Sequence, residues 1–176
     1  MASNEPQLIR NLTEMRHLGR GLSSKLDAGD ILCLHGPLGA GKSTLARAII
    51  TELCRDIDDI PSPTFTLVQP YMAQAGFEVW HLDLYRLESP DEVIALGIEE
   101  AFYEACCLIE WPERMAGLLP DTAMHLYLDF GPDKDSRILN IANSDIGGDT
   151  GNKSQTKLAG WLATAAASHL PQKPAG

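Results

Sequence analysis

The chain is short of basic charge and of long apolar runs. Its 176 residues hold 14 Lys and Arg against 24 Asp and Glu, a formal net charge of −10. That balance argues against independent high-affinity binding to a nucleic-acid backbone, so DNA is not an expected partner and any contact with RNA would need a basic partner protein. No apolar stretch approaches the roughly 18 residues of a membrane span. The polar, acidic opening Met1–Pro6 does not read as a leader, and the expected location is the cytoplasm, with no membrane partner. Cysteine is scarce: Cys33, Cys54, Cys106 and Cys107 lack C-x-x-C spacing, and three of them sit in apolar runs, so they read as reduced core thiols. The histidines at 17, 35, 81, 125 and 169 are dispersed, without the spacing that gathers metal ligands on one face, and no zinc site is expected. No internal repeat is visible. At 44% hydrophobic residues, the composition suits one soluble globular domain with a full core.

What the chain does have is Gly36-Pro37-Leu38-Gly39-Ala40-Gly41-Lys42-Ser43-Thr44, which fits G-x-x-x-x-G-K-[ST], the pattern of a phosphate-binding loop. Gly36, Gly39 and Gly41 let the backbone curl so that successive N–H groups point at a polyphosphate. A helix beginning near Lys42 adds its N-terminal dipole and unpaired amides. Lys42 then reaches the β- and γ-phosphates, and the Ser43 hydroxyl is offered to Mg²⁺. Gly36, Gly39, Ala40, Gly41, Lys42, Ser43 and Thr44 are therefore the nucleotide-binding candidates. A glycine-rich turn with a stray lysine is the competing reading. It does not explain why an apolar run suited to a buried strand, Asp30–His35, precedes the loop and helical spacing, Leu45–Ile50, follows it.

The remaining elements can be read in chain order. Residues 8–12 suggest a short strand, and Thr13 the N-cap of a helix with Met15, Leu18, Leu22 and Leu26 on one face, stopped by Gly29. This unit leads into the loop strand and is expected near the nucleotide, its apolar face serving as core, with contact of the strand–helix corner with the base as the further reading. Residues 56–64, with two prolines, form a loop. Phe65–Gln69 and Phe77–Asp83 read as strands joined in a hairpin at Ala75-Gly76. Ser89-Pro90-Asp91-Glu92 begins a short helix, Ile98, Phe102 and Tyr103 imply a second, and Pro112 breaks the chain. His125–Phe130 and Arg137–Ile141 alternate around a Gly131-Pro132-Asp133 turn, a second hairpin. Residues 143–156 are a linker by composition. A helix over 157–170 carries the stripe Leu158, Trp161, Leu162, Ala165 and Ala166, which suits packing on its own core more than docking. Residues 171–176 are expected to be a disordered tail. The fold class is α/β: a P-loop NTPase-like sheet with flanking helices, mixed parallel and antiparallel, with β-hairpins, in a domain over residues 1–142.

Asp83 and Glu110 each end an apolar run, where a carboxylate in a phosphate-loop protein faces the ligand crevice and holds the metal or orients water. Either is equally explained as a solvated loop entry. Thr64, at the entry to a strand, reads as a γ-phosphate sensor or as a turn cap. Asp145-Ile146-Gly147-Gly148 and Asn152-Lys153-Ser154-Gln155 imitate GTPase motifs. They lie almost adjacent in the linker, and Gln155 lacks the carboxylate that reads guanine.

Taken together, the phosphate loop, Ser62-Pro-Thr-Phe-Thr-Leu-Val68, His81-Leu-Asp-Leu-Tyr-Arg-Leu87 and Ile109-Glu-Trp-Pro-Glu113 resemble the bacterial TsaE (YjeE) family over about residues 8–142. The resemblance implies a Mg²⁺-dependent ATPase, weak alone, that supports synthesis of N6-threonylcarbamoyladenosine at tRNA position 37. It would act on a TsaB–TsaD complex and meet tRNA only through it. By position it implies Lys42 on the phosphates, Ser43 and Glu110 at the metal, Asp83 as a Walker-B-like aspartate, Thr64 as the threonine of the Ser-Pro-Thr segment, Trp111 beside the site and Arg137 near the nucleotide. No arginine finger is assigned; Arg86 is a candidate, with a surface ion pair as the alternative. Pro37 and Ser43 stand where the family usually has Asp and Thr. A small-molecule kinase and a non-catalytic nucleotide-dependent binding module are the rival functions.

Overall fold

A computed structural model describes residues 6–55, 57, 59–115, 117–141 and 157–163. Among the described residues, seven strands form one sheet: β1 (Gln7–Ile9), β2 (Ile31–His35), β3 (Val68–Met72), β4 (Glu78–Asp83), β5 (Ala105–Glu110), β6 (Met124–Phe130) and β7 (Arg137–Ile141), in the order β1-β7-β6-β2-β5-β4-β3. The central strands β4, β5, β2 and β6 run parallel, while β3 joins β4, and β7 joins β6 and β1, antiparallel. This is the mixed α/β sheet with two hairpins that the residue pattern predicts.

The helices are α1 (Leu12–Ser23), α2 (Lys42–Cys54), α3 (Pro90–Ala95), α4 (Ile98–Glu104) and α5 (157–163), with a 3₁₀ turn at Pro112–Met115. All five residues of β2 are buried because both faces of the sheet are covered there. Leu32 and Leu34 pack under α1 and α2, and Ile31 and Cys33 under α3 and α4. In α5, Leu158 and Leu162 join the α1–α2 side of the core, and Lys157 pairs with Asp30 at 2.7 Å. The expected linker over 143–156, the rest of the helix to 170 and the tail lie outside the described residues.

Three local expectations change. Asn11, not Thr13, caps α1: its side chain accepts from the Glu14 amide at 3.0 Å, and Glu14 reaches back to the Arg10 amide at 2.7 Å. The helix stops at Ser23, where the Ser23 and Ser24 hydroxyls turn onto the carbonyls of Arg20 and Gly21, well before Gly29. Leu26 is buried all the same. Residues 63–66 form a turn, the Thr66 and Leu67 amides both donating to the Pro63 carbonyl, so the strand expected at Phe65 begins at Val68. Two prolines and the hydroxyls of Ser62 and Thr64, 2.6 Å apart, outweigh the alternating pattern. Pro70 within β3 is tolerated because that strand is the sheet's edge.

Helices α1 and α2 cross at Gly19, where an added Cβ would meet the Ala48 Cβ at 2.5 Å and its backbone carbon at 3.1 Å. Gly19→Ala gains about 1 kcal/mol of helix propensity but overpacks at a cost of about 1–3 kcal/mol. A lower thermal midpoint is expected; a melt as high as that of the unaltered protein would show that the two helices can separate freely.

Candidate active site

The parallel strands β2, β4 and β5 end side by side, and their ends deliver the site. β2 runs into the glycine-rich loop, β4 ends on Asp83, and β5 ends on Glu110, with Asp83 and Glu110 in register across the ladder. Gly36 has φ +136°, and a Cβ there would run into the Leu128 carbonyl oxygen, so only glycine lets the loop leave the sheet at this point. Gly41, at φ +100°, opens α2 without a side-chain cap, leaving the first amides of the helix for an anion.

Lys42 folds back over the loop. Its ammonium donates to the carbonyls of Gly36 at 2.6 Å and Pro37 at 2.9 Å, and lies 3.9 Å from the centre of the Trp111 ring. Only 4% of the residue is exposed. Burial holds its pKa below the ordinary lysine value, against the opposite pull of Glu110, Glu113 and Asp83. Trp111 has φ +58° and is flanked by Tyr85, ring centres 5.0 Å apart.

The two carboxylates are buried and divide their partners. Glu110, 2% exposed, accepts from the Ser43 hydroxyl on Oε2 at 2.7 Å and pairs with His81 Nε2 through Oε1 at 2.8 Å. Asp83, 6% exposed, accepts from the Thr64 hydroxyl on Oδ2 at 2.8 Å and from the Tyr85 amide on Oδ1 at 3.1 Å. Neither is a solvated loop entry. Thr64 thus meets a site carboxylate through its side chain.

Arg137, on β7, donates to the Gly39 carbonyl at 3.1 Å and lines a cleft of about 370 Å³ with Ile9, Asn11, Met15, Gly41 and Thr44. The β1–α1 corner therefore stands beside the loop, as its place in the chain suggests. Ala40 is fully buried, its amide donating to the Pro37 carbonyl at 3.2 Å. Arg86 lies 4.6 Å over the exposed Phe65 ring, a cation–π contact, where sequence offered only an ion pair or a finger.

One cluster was not visible in the residue spacing. His35, at the end of β2, pairs with Glu113 at 2.6 Å and with His125 at 2.8 Å, and stacks on Tyr127 at 4.3 Å. Burial and the neighbouring His35 push the His125 pKa down. The only signal in the sequence was that two apolar runs far apart in the chain, the later β2 and β6, each carry a histidine. Cys33, Cys106 and Cys107 are buried, and burial pushes the Cys107 thiol up to about 12.

The oxygen donors suit a hard divalent ion: the Ser43 hydroxyl and Glu110, with Asp83 adjacent. Among the described residues no three His, Cys, Asp or Glu side chains form a metal-holding group.

The family model for "Threonylcarbamoyl adenosine biosynthesis protein TsaE" matches residues 9–138. The tRNA threonylcarbamoyladenosine biosynthesis protein TsaE of Rickettsia bellii is 37% identical over 140 residues, covering 80% of this chain and 96% of that protein. The TsaE protein of Rickettsia felis is 39% identical over 155 residues, covering 88% of this chain and 85% of that protein. Among solved structures, Bacillus subtilis YdiB superposes with a TM-score of 0.65 at 22% identity, over 94% of this chain and 96% of that one. At that identity the likeness speaks for the fold.

Proposed function

Since the chain belongs to the TsaE family of threonylcarbamoyl adenosine biosynthesis proteins, we propose that it binds and hydrolyses ATP with Mg²⁺, weakly alone and faster on a TsaB–TsaD complex. The observation that carries this reading is the contact of the phosphate-loop serine with the β5 carboxylate, Ser43 to Glu110 at 2.7 Å, beside a lysine held within its own loop. A passive binding loop has no need of a buried carboxylate on its metal-side hydroxyl.

The triphosphate lies along the amides of Gly39–Thr44, with the nucleoside in the cleft between Met15 and Arg137. Lys42 exchanges its contacts with the loop carbonyls for phosphate oxygens. Ser43 and Glu110 would hold the metal, which would supply positive charge against the phosphate oxygens. Asp83, with Thr64 hydrogen-bonded to it, would orient the attacking water. Hydrolysis breaks the terminal P–O bond, giving ADP and phosphate, and resets the partner complex without itself transferring threonylcarbamoyl. The protein meets tRNA only through that complex, as its net charge of −10 suggests, and works in the cytoplasm.

The deciding measurement is ATP turnover alone and with purified TsaB–TsaD complex. Marked stimulation is expected. Bound nucleotide with no turnover in the presence of the complex would overturn the hydrolytic reading in favour of a binding module, and turnover that rises only with a small hydroxyl acceptor would overturn it in favour of a kinase.

A further inference from the structure

We propose that His81 is the positioning residue that fixes Glu110 for its work at the nucleotide's metal; this rests on the role given to Glu110 above. His81 lies on β4 with no exposed surface, opposite Leu108 on β5, while Asp83 lies opposite Glu110. Alternate residues share a face of the sheet, so His81 and Asp83 point to the α2 side together, and Glu110 is the diagonal neighbour of His81, within reach of a long side chain.

A carboxylate oxygen only accepts, so Nε2 carries the proton of the 2.8 Å bond to Glu110 Oε1. The other ring nitrogen, Nδ1, is buried without a partner among the described residues. A histidine serving only as core would satisfy both nitrogens or give way to an aliphatic residue, since the surrounding cluster is built of Val79, Ile49, Leu108 and Leu34. A ring kept here with one nitrogen unsatisfied is retained for the bond it does make.

That bond has a directional consequence. With Oε1 held by His81, Glu110 cannot swing about its long side chain, and Oε2 alone is presented to the Ser43 side, where the hydroxyl now occupies it at 2.7 Å. When Ser43 turns to a ligand, Oε2 is already aimed at the same point. Outer partners of this kind align the group that touches the metal and are commonly worth about 10–100-fold in affinity or rate.

The test compares His81→Leu, which has no donor, with His81→Gln, whose amide can replace Nε2–H. Two readouts are followed: kcat and KM of TsaB–TsaD-stimulated hydrolysis, and binding of a fluorescent ATP analogue with Mg²⁺ or with EDTA. His81→Leu is expected to lose about tenfold or more in kcat, with KM rising only as far as the lost Mg²⁺ contribution to binding requires. It is also expected to lose most of the affinity that Mg²⁺ adds, with binding in EDTA unaltered and both losses largely recovered in His81→Gln. A folded His81→Leu protein that keeps its kcat and its Mg²⁺ increment overturns the proposal. If the leucine variant does not fold, ¹⁵N NMR of the unaltered protein decides: a proton on Nε2 of His81 supports the assignment, and a proton on Nδ1 overturns it. Glu110→Gln is measured in parallel. If that variant keeps both quantities, the role of Glu110 fails and the proposal with it; if it loses both while His81→Leu keeps them, only the proposal fails.

Discussion

Replacing Lys42 with alanine is expected to lower ATP turnover in the presence of TsaB–TsaD by about 10²–10³-fold, the usual weight of one charged group preorganised on a developing oxyanion. The ammonium is already at the loop, bonded to the Gly36 and Pro37 carbonyls and covered by Trp111, so little reorganisation separates its resting and working positions. Nucleotide affinity should fall with turnover, because Lys42 meets the phosphates in the ground state as well. Folding is expected to survive. Burial disfavours the lysine's charge, and removing it relieves that penalty while freeing two carbonyls of a loop that water reaches. Calorimetric titration with ATP and a thermal melt separate the two effects. A variant that binds and hydrolyses ATP like the unaltered protein would remove Lys42 from the site.

Glu110→Gln is the second large effect and differs in kind. The amide keeps the shape of the side chain and can still meet Ser43 and His81, so the fold and the loop should be undisturbed. What is lost is a buried negative charge beside the proposed metal position. The expected result is a fall of about 10²–10³-fold in kcat with nucleotide still bound, and a higher Mg²⁺ concentration needed for half-maximal turnover. Turnover that is unchanged at saturating Mg²⁺ would hand the catalytic carboxylate to Asp83.

Much of this site was legible in the sequence because its parts are local. Glycine spacing in its strand-and-helix setting specifies the loop, and Asp83 and Glu110 stand out as acids closing apolar runs, although spacing alone left each equally explained as a loop entry. The hydroxyl that each one meets was not legible, because Ser43 and Thr64 are separated from their carboxylates by 67 and 19 residues. The same holds for His35 and His125, 90 residues apart and brought together only by the β2–β6 pairing. Apart from the partner of Arg86, the departures lie at element boundaries. Asn11 and Thr13 are both good caps, and the choice lies in backbone geometry that composition does not carry. At Phe65–Gln69, a period-two pattern was overruled by the prolines just before it. The β1–α1 corner was placed correctly by connectivity alone.

The register of β4 against β5 sets a limit on how this protein can vary. Asp83 and Glu110 face the same side only because each strand keeps its count up to its last residue. Turns such as Ala75-Gly76 can lengthen or shorten without touching that count. One residue gained or lost within β4 or β5 would instead rotate a carboxylate through the sheet to the α3–α4 side. Insertions that preserve the site are thus expected in the connections, and any redesign that lengthens these strands must do so by two residues at a time.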